Sequence, residues 1–273
     1  QYGPTQQMVD AYRMKNGELP FETDSHGLIS YSASGQPVVN PSSGYVETGF
    51  AGSASPDGYW NANVSNMYVG REPRFYAHIN FCGQTWKSSS LDMWYSGGDG
   101  AGASGTNRSN TGYLLRKFAD EGSNTASATP ILSNRTWIWF RLGEMYLNYA
   151  EALNEAEGPG DKVYAALDAV RSRVKMPGVK RGGKEAVRQI IRNERVYELA
   201  GEGHLYFDFQ RWYAHDPSFD ISTLNHQILG YKGSPVGAKA GTRAFTARNW
   251  YYAVPQAEID INPALTQGDG WGN

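Results

Sequence analysis

Cysteine is almost absent from this sequence of 273 residues, and the single Cys82 excludes an internal disulfide framework and any metal cluster built on several cysteines. Its apolar neighbours predict a buried thiol. No apolar run is long enough to span a bilayer as a helix. Charge of one sign is not in excess either. The formal net charge is −2 and the pI is near 6.2, which argues against a nucleic-acid partner held through its phosphates.

The sequence also lacks the arrangements that identify common catalytic and cofactor sites. It has no serine in a nucleophile-elbow pattern and no His-Glu-x-x-His zinc motif. The glycines of residues 97–102 do not stand between a strand and a helix in dinucleotide-binding order. The acidic residues of the same region do not have EF-hand spacing. We therefore expect no catalytic residue, no metal and no cofactor.

Aromatic residues are abundant instead: 8 Trp, 18 Tyr and 10 Phe, together with 32 Gly. Aromatic rings on glycine-rich turns suit sugars, whose apolar C–H faces pack on rings, but the same composition suits a thick core. Tyr45, Tyr59 and Trp60 follow turn glycines, so they are either presented to a ligand or folded back over the core. The long irregular segment 82–136 adds further candidates, because such loops are usually functional or mobile. The candidate ligand-binding residues are Tyr45, Tyr59, Trp60, Trp86, Trp94, Tyr95 and Asp99.

A stripe of carboxylates marks the segment 185–212. Glu194, Glu198 and Glu202 recur every four residues on a predicted helix and therefore share one face. One hypothesis is a catalytic pair of acids, as in glycosidases. The other is an Arg/Glu network that clamps two helices, with the nearby Arg192, Arg195 and Arg211 interleaved among the acids. We favour the network, because basic neighbours lower carboxylate pKa values, whereas a general acid needs a raised one.

Helical periodicity predicts two successive helix hairpins. The first has one apolar face in residues 142–153 and a partner helix ending near Val174, with glycine and proline breaks after each. The predicted face of its first helix consists of Leu142, Met145, Tyr146, Tyr149, Ala150 and Leu153. The second hairpin runs from about Lys184 to about Tyr213. Such units resemble tetratricopeptide repeats, which are stable only when stacked on others.

The rest of the chain is predicted to be rich in loops. A short helix is expected within residues 1–20, closed at Asn16-Gly17, and a short strand within residues 113–118. Alternation over residues 75–81 predicts a strand with His78 on its polar face. The expected division is a loop-rich region 1–136, two helix hairpins in 137–216, and a loop-rich C-terminal segment 217–273 that packs on the body.

Several motifs in order resemble the SusD/RagB family. They are RLGEMYLNYAEALNEAEG (141–158) with AALDAVRSRV (165–174), IIRNERVYELAGEGHLYFDFQRW (190–212), and YYAVPQAEIDINPALTQGDGW (251–271). Glu72-Pro73-Arg74 is similar to the family's (D/E)PR motif, with Glu in place of the commoner Asp. The resemblance covers nearly the whole chain. It implies a mostly α fold with a minor α+β component, made of tetratricopeptide-like hairpins and a loop-rich region with short strands.

The resemblance also implies a function. Members of the family are outer-membrane surface lipoproteins that bind oligosaccharide without cleaving it and deliver it to a TonB-dependent transporter of the SusC type. The first residue is Gln1, and residues 4–20 look like an internal stretch. We therefore expect this chain to be the C-terminal part of a longer protein, with the lipid anchor on the missing N-terminal part. In that case the helical array should end in an apolar surface that needs covering.

Two alternative functions remain open from the sequence. One is a glycoside hydrolase that uses acids among Asp57, Asp92 and Asp99. The other is a helical-repeat scaffold that binds peptides on the helix faces of residues 137–174 and 184–213. Fold analogy alone does not separate these functions from glycan capture.

Overall fold

A computed structural model describes residues 3–33, 36–87, 89–93, 97–98, 109–119, 138–214, 216–220, 222, 227–229, 239–242, 244–268 and 270–271. In this part of the chain, helices dominate and strands are short. The helices are α1 (Gln6–Ala11), α2 (Pro73–His78), α3 (Leu142–Glu157), α4 (Asp161–Arg173), α5 (Lys184–Glu198), α6 (His204–Tyr213) and α7 (Gln256–Ile261). The expected mostly α fold with a minor strand component is confirmed.

Each strand has one antiparallel partner. β1 (Ile79–Asn80) pairs with β4 (Leu114–Leu115), β2 (Thr85–Trp86) with β3 (Ser89–Ser90), and β5 (Gln227–Leu229) with β6 (Lys239–Thr242). The short strand expected within residues 113–118 is therefore present as β4. Single turns of 3₁₀ helix occur at Pro41–Ser43, Asn66–Tyr68 and Ala247–Trp250.

The first predicted hairpin is present as α3–α4, whose helices pack on each other. Helices α5 and α6 occupy the positions predicted for the second hairpin and are connected by the ion pair of Arg195 with Asp208. We call these four helices the helical layer (142–213). Gly158, at φ 86°, ends α3, and Gly201 and Gly203, at φ 75° and 85°, separate α5 from α6. Glycine adopts this left-handed conformation without the steric cost of a Cβ. The core between α3, α4 and α5 is aliphatic and contains Leu147, Ala150, Leu167, Val170, Val187 and Ile191.

The predicted apolar face of α3 is wrong in its orientation. The helix turns Leu147, Ala150 and Asn154 inward, whereas Leu142 is 67% exposed. Met145, Tyr146 and Tyr149 are exposed as well. The helix has two adjacent apolar faces, and the face with the larger side chains points outward. An apolar surface at the side of the helical layer was expected, and it is present.

A second core, largely aromatic, holds the segments before residue 119, which we call the loop-rich layer. Its members include Tyr12, Tyr68, Phe75, Tyr76 and Phe81. The rings of Tyr68 and Phe81 lie 4.4 Å apart, and those of Phe75 and Phe81 lie 5.4 Å apart. Cys82 is buried here, as its neighbours predict.

The strand predicted over residues 75–81 is wrong. Pro73 begins helix α2, because its fixed φ is compatible with the first helical position. Only Ile79 and Asn80 are extended. Arg74, Phe75, Tyr76 and His78 are buried and Ala77 is exposed, so burial does not alternate along the segment as the predicted strand requires. His78 consequently lies inside the layer and not on a wet strand face.

The N-terminal helix is shorter than expected. α1 begins after Thr5, whose hydroxyl accepts a hydrogen bond from the Met8 amide at 3.2 Å, and it ends at Ala11 instead of continuing to Asn16. A small third core of Trp212, Tyr213, Phe245 and Trp250 packs part of the C-terminal segment against α6. None of the helices in the described ranges combines the length and apolarity needed to cross a membrane.

Candidate ligand cavity above a buried ion cluster

The two layers meet at a set of buried charges centred on Arg74 of α2. Its guanidinium contacts Glu72 at 2.6 Å, and it reaches Glu194 at 2.7 Å and Glu198 at 2.9 Å on α5. All four side chains are at most 2% exposed. The planar guanidinium can satisfy several carboxylates at once, which a lysine cannot do in the same geometry. Arg74 therefore joins the loop-rich layer to the helical layer.

Further cations complete this arrangement. Arg171 pairs with Glu194 at 2.9 Å, and Arg141 pairs with Glu198 at 2.6 Å and with Glu202 at 2.8 Å. Two more cations bind at the rim, Arg173 to Glu198 and Lys117 to Glu202. We call the whole set the ion cluster: Glu72, Arg74, Lys117, Arg141, Arg171, Arg173, Glu194, Glu198 and Glu202.

The ion cluster confirms the network hypothesis for the carboxylate stripe, but its cations are not those that the sequence suggested. Arg195 and Arg211 instead bind Asp208, each at 2.9 Å, and Arg211 also binds Glu151. Arg192 lies over the Trp212 ring. The counter-ions of the stripe are arginines and a lysine from other segments of the chain. The prediction considered only arginines close to the stripe in sequence and therefore did not identify them.

The pKa values follow from these contacts. Burial alone would raise the pKa of Glu198, but Arg141, Arg74 and Arg173 outweigh it and hold that pKa at about 2. The pKa values of Glu194 and Glu202 are also lowered by their cationic partners despite burial. Burial raises the pKa of Glu72, whose side chain has no exposure to solvent. Glu194, Glu198 and Glu202 are therefore unsuited to general-acid catalysis because their pKa values are lowered, and Glu72 is unsuited because it is closed off from solvent.

A cavity of about 510 Å³ lies against the ion cluster. Its lining comes from the turn at residues 57–59, from α2, from the segment after β4 and from the end of α4. The lining residues are Asp57, Gly58, Tyr59, Pro73, Arg74, Tyr76, Ala77, His78, Arg116, Arg173 and Val174. Its volume is within the range that holds small organic ligands.

Aromatic rings form one wall of the cavity. The Tyr59 ring lies parallel to that of Tyr76, with 4.7 Å between centroids and 3° between planes. Trp60 is tilted against the same Tyr76 ring at 5.9 Å. The Tyr76 hydroxyl donates to the Tyr68 carbonyl at 2.5 Å and accepts from the Arg71 amide at 3.0 Å. Tyr76 is thus fixed by hydrogen bonds, and it supports Tyr59 from behind.

Charged groups form the remaining wall. Arg116 donates to the Tyr76 carbonyl at 3.0 Å, and its guanidinium lies 5.5 Å from the centre of the Trp86 ring. Arg173 is 57% exposed and donates to both carboxylate oxygens of Glu198, at 2.8 and 2.9 Å. Asp57 is paired with Lys15 at 3.1 Å. Arginine side chains therefore face a cavity that also has an aromatic surface.

His78 lies at the bottom of this site. Its Nδ1 and the Tyr12 hydroxyl are 3.0 Å apart. Burial, together with the positive charges of Lys117 and Arg74, lowers the pKa of His78 to about 3. The imidazole is consequently neutral at physiological pH. Among the residues that the structure describes, no group of three or more His, Cys, Asp or Glu side chains could hold a metal ion.

The candidate binding residues have different positions. Tyr59 lines the cavity, Trp60 touches Tyr76, and Trp86 supports Arg116. Tyr45 is buried and packs on Phe21 at 4.9 Å, so its ring covers the core. The other three candidates are outside the described residues: Trp94, Tyr95 and Asp99.

Sequence analysis missed three residues of the cavity wall. Tyr76 was assigned to a strand, and Arg116 and Arg173 were not singled out. Arg173 lies in a matched motif, but its helical position gave no sign that it faces a cavity. The Glu-Pro-Arg motif was the available signal, because it places Arg74 and Tyr76 on one short helix.

Comparisons with known proteins agree on one family. The family model described as the SusD family matches residues 1–271. A SusD-like protein from Formosa agariphila is 29% identical over 147 residues, which cover 50% of this chain and 24% of that protein.

Solved structures give the same result. A SusD-like protein from Bacteroides fragilis is 24% identical with a TM-score of 0.67, and the match covers 98% of this chain and 47% of that one. A SusD-like carbohydrate binding protein from the same species is 25% identical with a TM-score of 0.64, covering 96% of this chain and 48% of that one. The chain thus spans about half the length of these solved relatives.

Proposed function

Because this chain belongs to the SusD family, we propose that it binds oligosaccharide, without cleaving it, in the cavity beside α2. The observation that carries the proposal is the parallel Tyr59–Tyr76 stack in the cavity wall. Sugar rings pack their C–H faces on such rings, and Tyr76 is already held in place from behind. The Bacteroides fragilis relative described as a carbohydrate binding protein supports this choice of ligand.

The positions and pKa values of the carboxylates favour binding of the oligosaccharide without cleavage. Glycoside hydrolysis requires two of them flanking the bond, one with a raised pKa. Asp57 is the one carboxylate among the described residues that line the cavity, and it is paired with Lys15. In the ion cluster, cationic partners lower the pKa values of Glu194, Glu198 and Glu202, and Glu72, whose pKa burial raises, does not line the cavity. Of the other acids considered for hydrolysis, Asp92 does not line the cavity and Asp99 is outside the described residues.

The proposal extends to a whole protein of the length of the solved relatives, of which this chain spans about half. We place the protein at the cell outer membrane as a surface lipoprotein, anchored through a segment outside this chain. There it would deliver oligosaccharide to a TonB-dependent transporter of the SusC type. Co-purification of the transporter with the full-length protein from cross-linked cells tests this part. Recovery of the protein from the soluble fraction, with no transporter attached, would refute it.

Binding is tested by calorimetric and tryptophan-fluorescence titration of the chain with a panel of polysaccharides. We expect a saturable response and unchanged oligosaccharides in product analysis. Tyr59→Ala should weaken binding roughly tenfold, because it removes one stacking face. Tyr146→Ala, which removes an exposed tyrosine on α3, is the matched control and should leave the affinity unchanged. Cleavage products, or equal effects of the two variants, would contradict the proposal.

A further inference from the structure

One nitrogen of His78 is left without a partner at the bottom of the cavity. His78 is 7% exposed and lines the cavity, and its Nδ1 lies 3.0 Å from the Tyr12 hydroxyl. In the described part of the chain the other ring nitrogen, Nε2, makes no hydrogen bond, yet it is not among the enclosed side-chain atoms that lack a partner. It therefore keeps access to solvent through the cavity that the ring lines. An almost enclosed polar group thus opens onto the proposed binding site.

The Tyr12 hydroxyl decides which nitrogen of His78 holds the proton. Tyr12 is enclosed in the aromatic core, and among the described residues His78 Nδ1 is the hydrogen-bond partner of its hydroxyl. Because an enclosed O–H group is costly to leave without an acceptor, the hydroxyl donates and Nδ1 accepts. Burial and the nearby charge of Lys117 lower the pKa of His78 to about 3, so the ring is neutral and has one N–H. Nε2 is consequently a hydrogen-bond donor that faces the cavity.

An apolar surface adjoins this donor. Pro73 and Ala77 lie one helical turn apart on α2, Val174 follows the end of α4, and all three line the cavity. We call these three residues the apolar patch. Their side chains form no hydrogen bonds, and Ala77 is exposed although its neighbours Tyr76 and His78 are buried. The cavity therefore offers a neutral donor next to a carbon surface, which suits a ligand group that has an acceptor oxygen and a methyl group side by side.

From this geometry we propose that the cavity selects N-acetylated sugars, whose acetamido carbonyl accepts a hydrogen bond from His78 Nε2. The acetamido methyl group packs on the apolar patch, and the sugar ring stacks on Tyr59. A sugar hydroxyl satisfies the donor but leaves the apolar patch uncovered, whereas the acetamido group matches both. The inference rests on the proposed glycan binding and narrows it to sugars with an acetamido group.

Calorimetric titration with matched methyl glycosides tests the inference. The probes are the methyl glycosides of N-acetylglucosamine and N-acetylgalactosamine, each compared with the glucose or galactose glycoside that has a hydroxyl in place of the acetamido group. We expect at least one acetamido sugar to bind roughly tenfold more tightly than its hydroxyl partner, since one neutral hydrogen bond and one buried methyl group together have about this effect. In isotope-labelled protein, NMR of the imidazole nitrogens should place the proton of His78 on Nε2, and the acetamido sugar should shift that resonance.

Variants of His78 separate the hydrogen bond from packing. His78→Gln places its amide nitrogen near the position of Nε2 and should keep the preference for the acetamido sugar. His78→Leu has no donor and should reduce the preference roughly fivefold. His204→Leu, the same change at a histidine of α6 that pairs with Glu144 and does not line the cavity, is the control and should leave the preference unchanged.

The outcomes distinguish the inference from the proposed function. Equal binding of the acetamido and hydroxyl sugars, or an unchanged preference in His78→Leu, overturns the acetamido inference and leaves glycan binding in place. If His78→Leu does not fold, NMR of the unsubstituted chain decides, because a proton on Nδ1, or a His78 resonance that no acetamido sugar shifts, overturns the inference as well. Failure of every sugar to bind overturns the proposed function itself.

Discussion

In the loop-rich layer, aromatic side chains from separate short segments meet in one closed core, whereas in the helical layer the outward faces of α3 and α6 carry aromatic side chains into solvent. Tyr68, Phe75 and Phe81 have no exposure, while Tyr149 of α3 is 47% and Phe207 of α6 is 56% exposed. Helix pairs that stack as repeats bury such faces only against a neighbouring pair. The comparison shows that aromatic content alone does not locate a binding surface in this molecule.

The largest expected effect is the loss of stability on removing Arg74, the cation that joins the two layers. Arg74→Met should lower the free energy of unfolding by about 3–5 kcal/mol, because Glu72, Glu194 and Glu198 would remain buried without their shared cation. Urea denaturation followed by tryptophan fluorescence measures the change. Arg181→Met, which removes an exposed arginine paired with Asp161, is the control and should leave the midpoint close to that of the unsubstituted chain. Equal midpoints for the two variants would show that the ion cluster does not join the layers.

Two leucines on α3, one on each apolar face, allow the stability contributions of the two faces to be compared. Leu147→Ala should cost about 2–5 kcal/mol, since Leu147 is fully buried between α4 and α5. Leu142→Ala, at a position 67% exposed, should cost about 0.5 kcal/mol or less. Thermal unfolding by circular dichroism distinguishes them. If Leu142→Ala is the more damaging change, the outward face is covered in the folded chain and the comparison between the layers is incorrect.

The third prediction concerns pH, and its effect is small near neutral pH. His78 has an ordinary pKa of 6.5 and a folded pKa of about 3, so folding favours its neutral form. Its contribution to stability is complete above pH 6.5 and is lost as the pH falls toward 3. The melting temperature should therefore fall on acidification, and His78→Gln should show a shallower fall over the same range.

The contribution of His78 is measured by the difference between the unsubstituted chain and His78→Gln, because other groups titrate in the same pH range. The raised pKa of Glu72 acts in the opposite direction, and the lowered pKa of Glu198 acts below its ordinary value of 4.5. Parallel melting curves for the unsubstituted chain and His78→Gln would show that the imidazole is not kept neutral by the fold.

Local patterns in the sequence were sufficient to predict where the helices of the helical layer lie in the chain. The four helices α3 to α6 lie where periodicity and glycine breaks place them, because each helix depends on nearby residues and on an aliphatic stripe. The face that α3 buries was not predictable, since Leu142 and Leu147 are equally apolar and only the position of α4 and α5 decides between them. Similarly, the strand predicted over residues 75–81 is wrong because Pro73 begins a helix, and the buried positions Phe75, Tyr76 and His78 do not follow the alternation seen in the sequence.

The cavity was predictable only in part. Turn chemistry identified Tyr59 and Trp60, which lie on the cavity wall or touch it. Tyr45 has the same turn signature yet covers the core, because Phe21 and Arg71 lie beneath it. Arg116 and Arg173 escaped attention since each acquires its role from residues far away in the chain, Trp86 and Glu198. Contacts of this kind depend on tertiary structure and leave no local pattern.

The ion pair between Arg74 and Glu198 joins positions 124 residues apart, and this separation has a consequence for the order in which the protein is made. A ribosome adds about 5–20 residues per second, so α5 is synthesised roughly 6–25 s after α2. Of the carboxylates that contact Arg74 among the described residues, Glu72 alone precedes α5 in the chain, so burial of Arg74 before α5 is made would leave it with one of its three carboxylates. We therefore expect the burial of Arg74 in the loop-rich layer to be completed only after α5 has been made. The part of the chain that is made first thus depends on α5, which is made later, for two of the three carboxylates that bind Arg74.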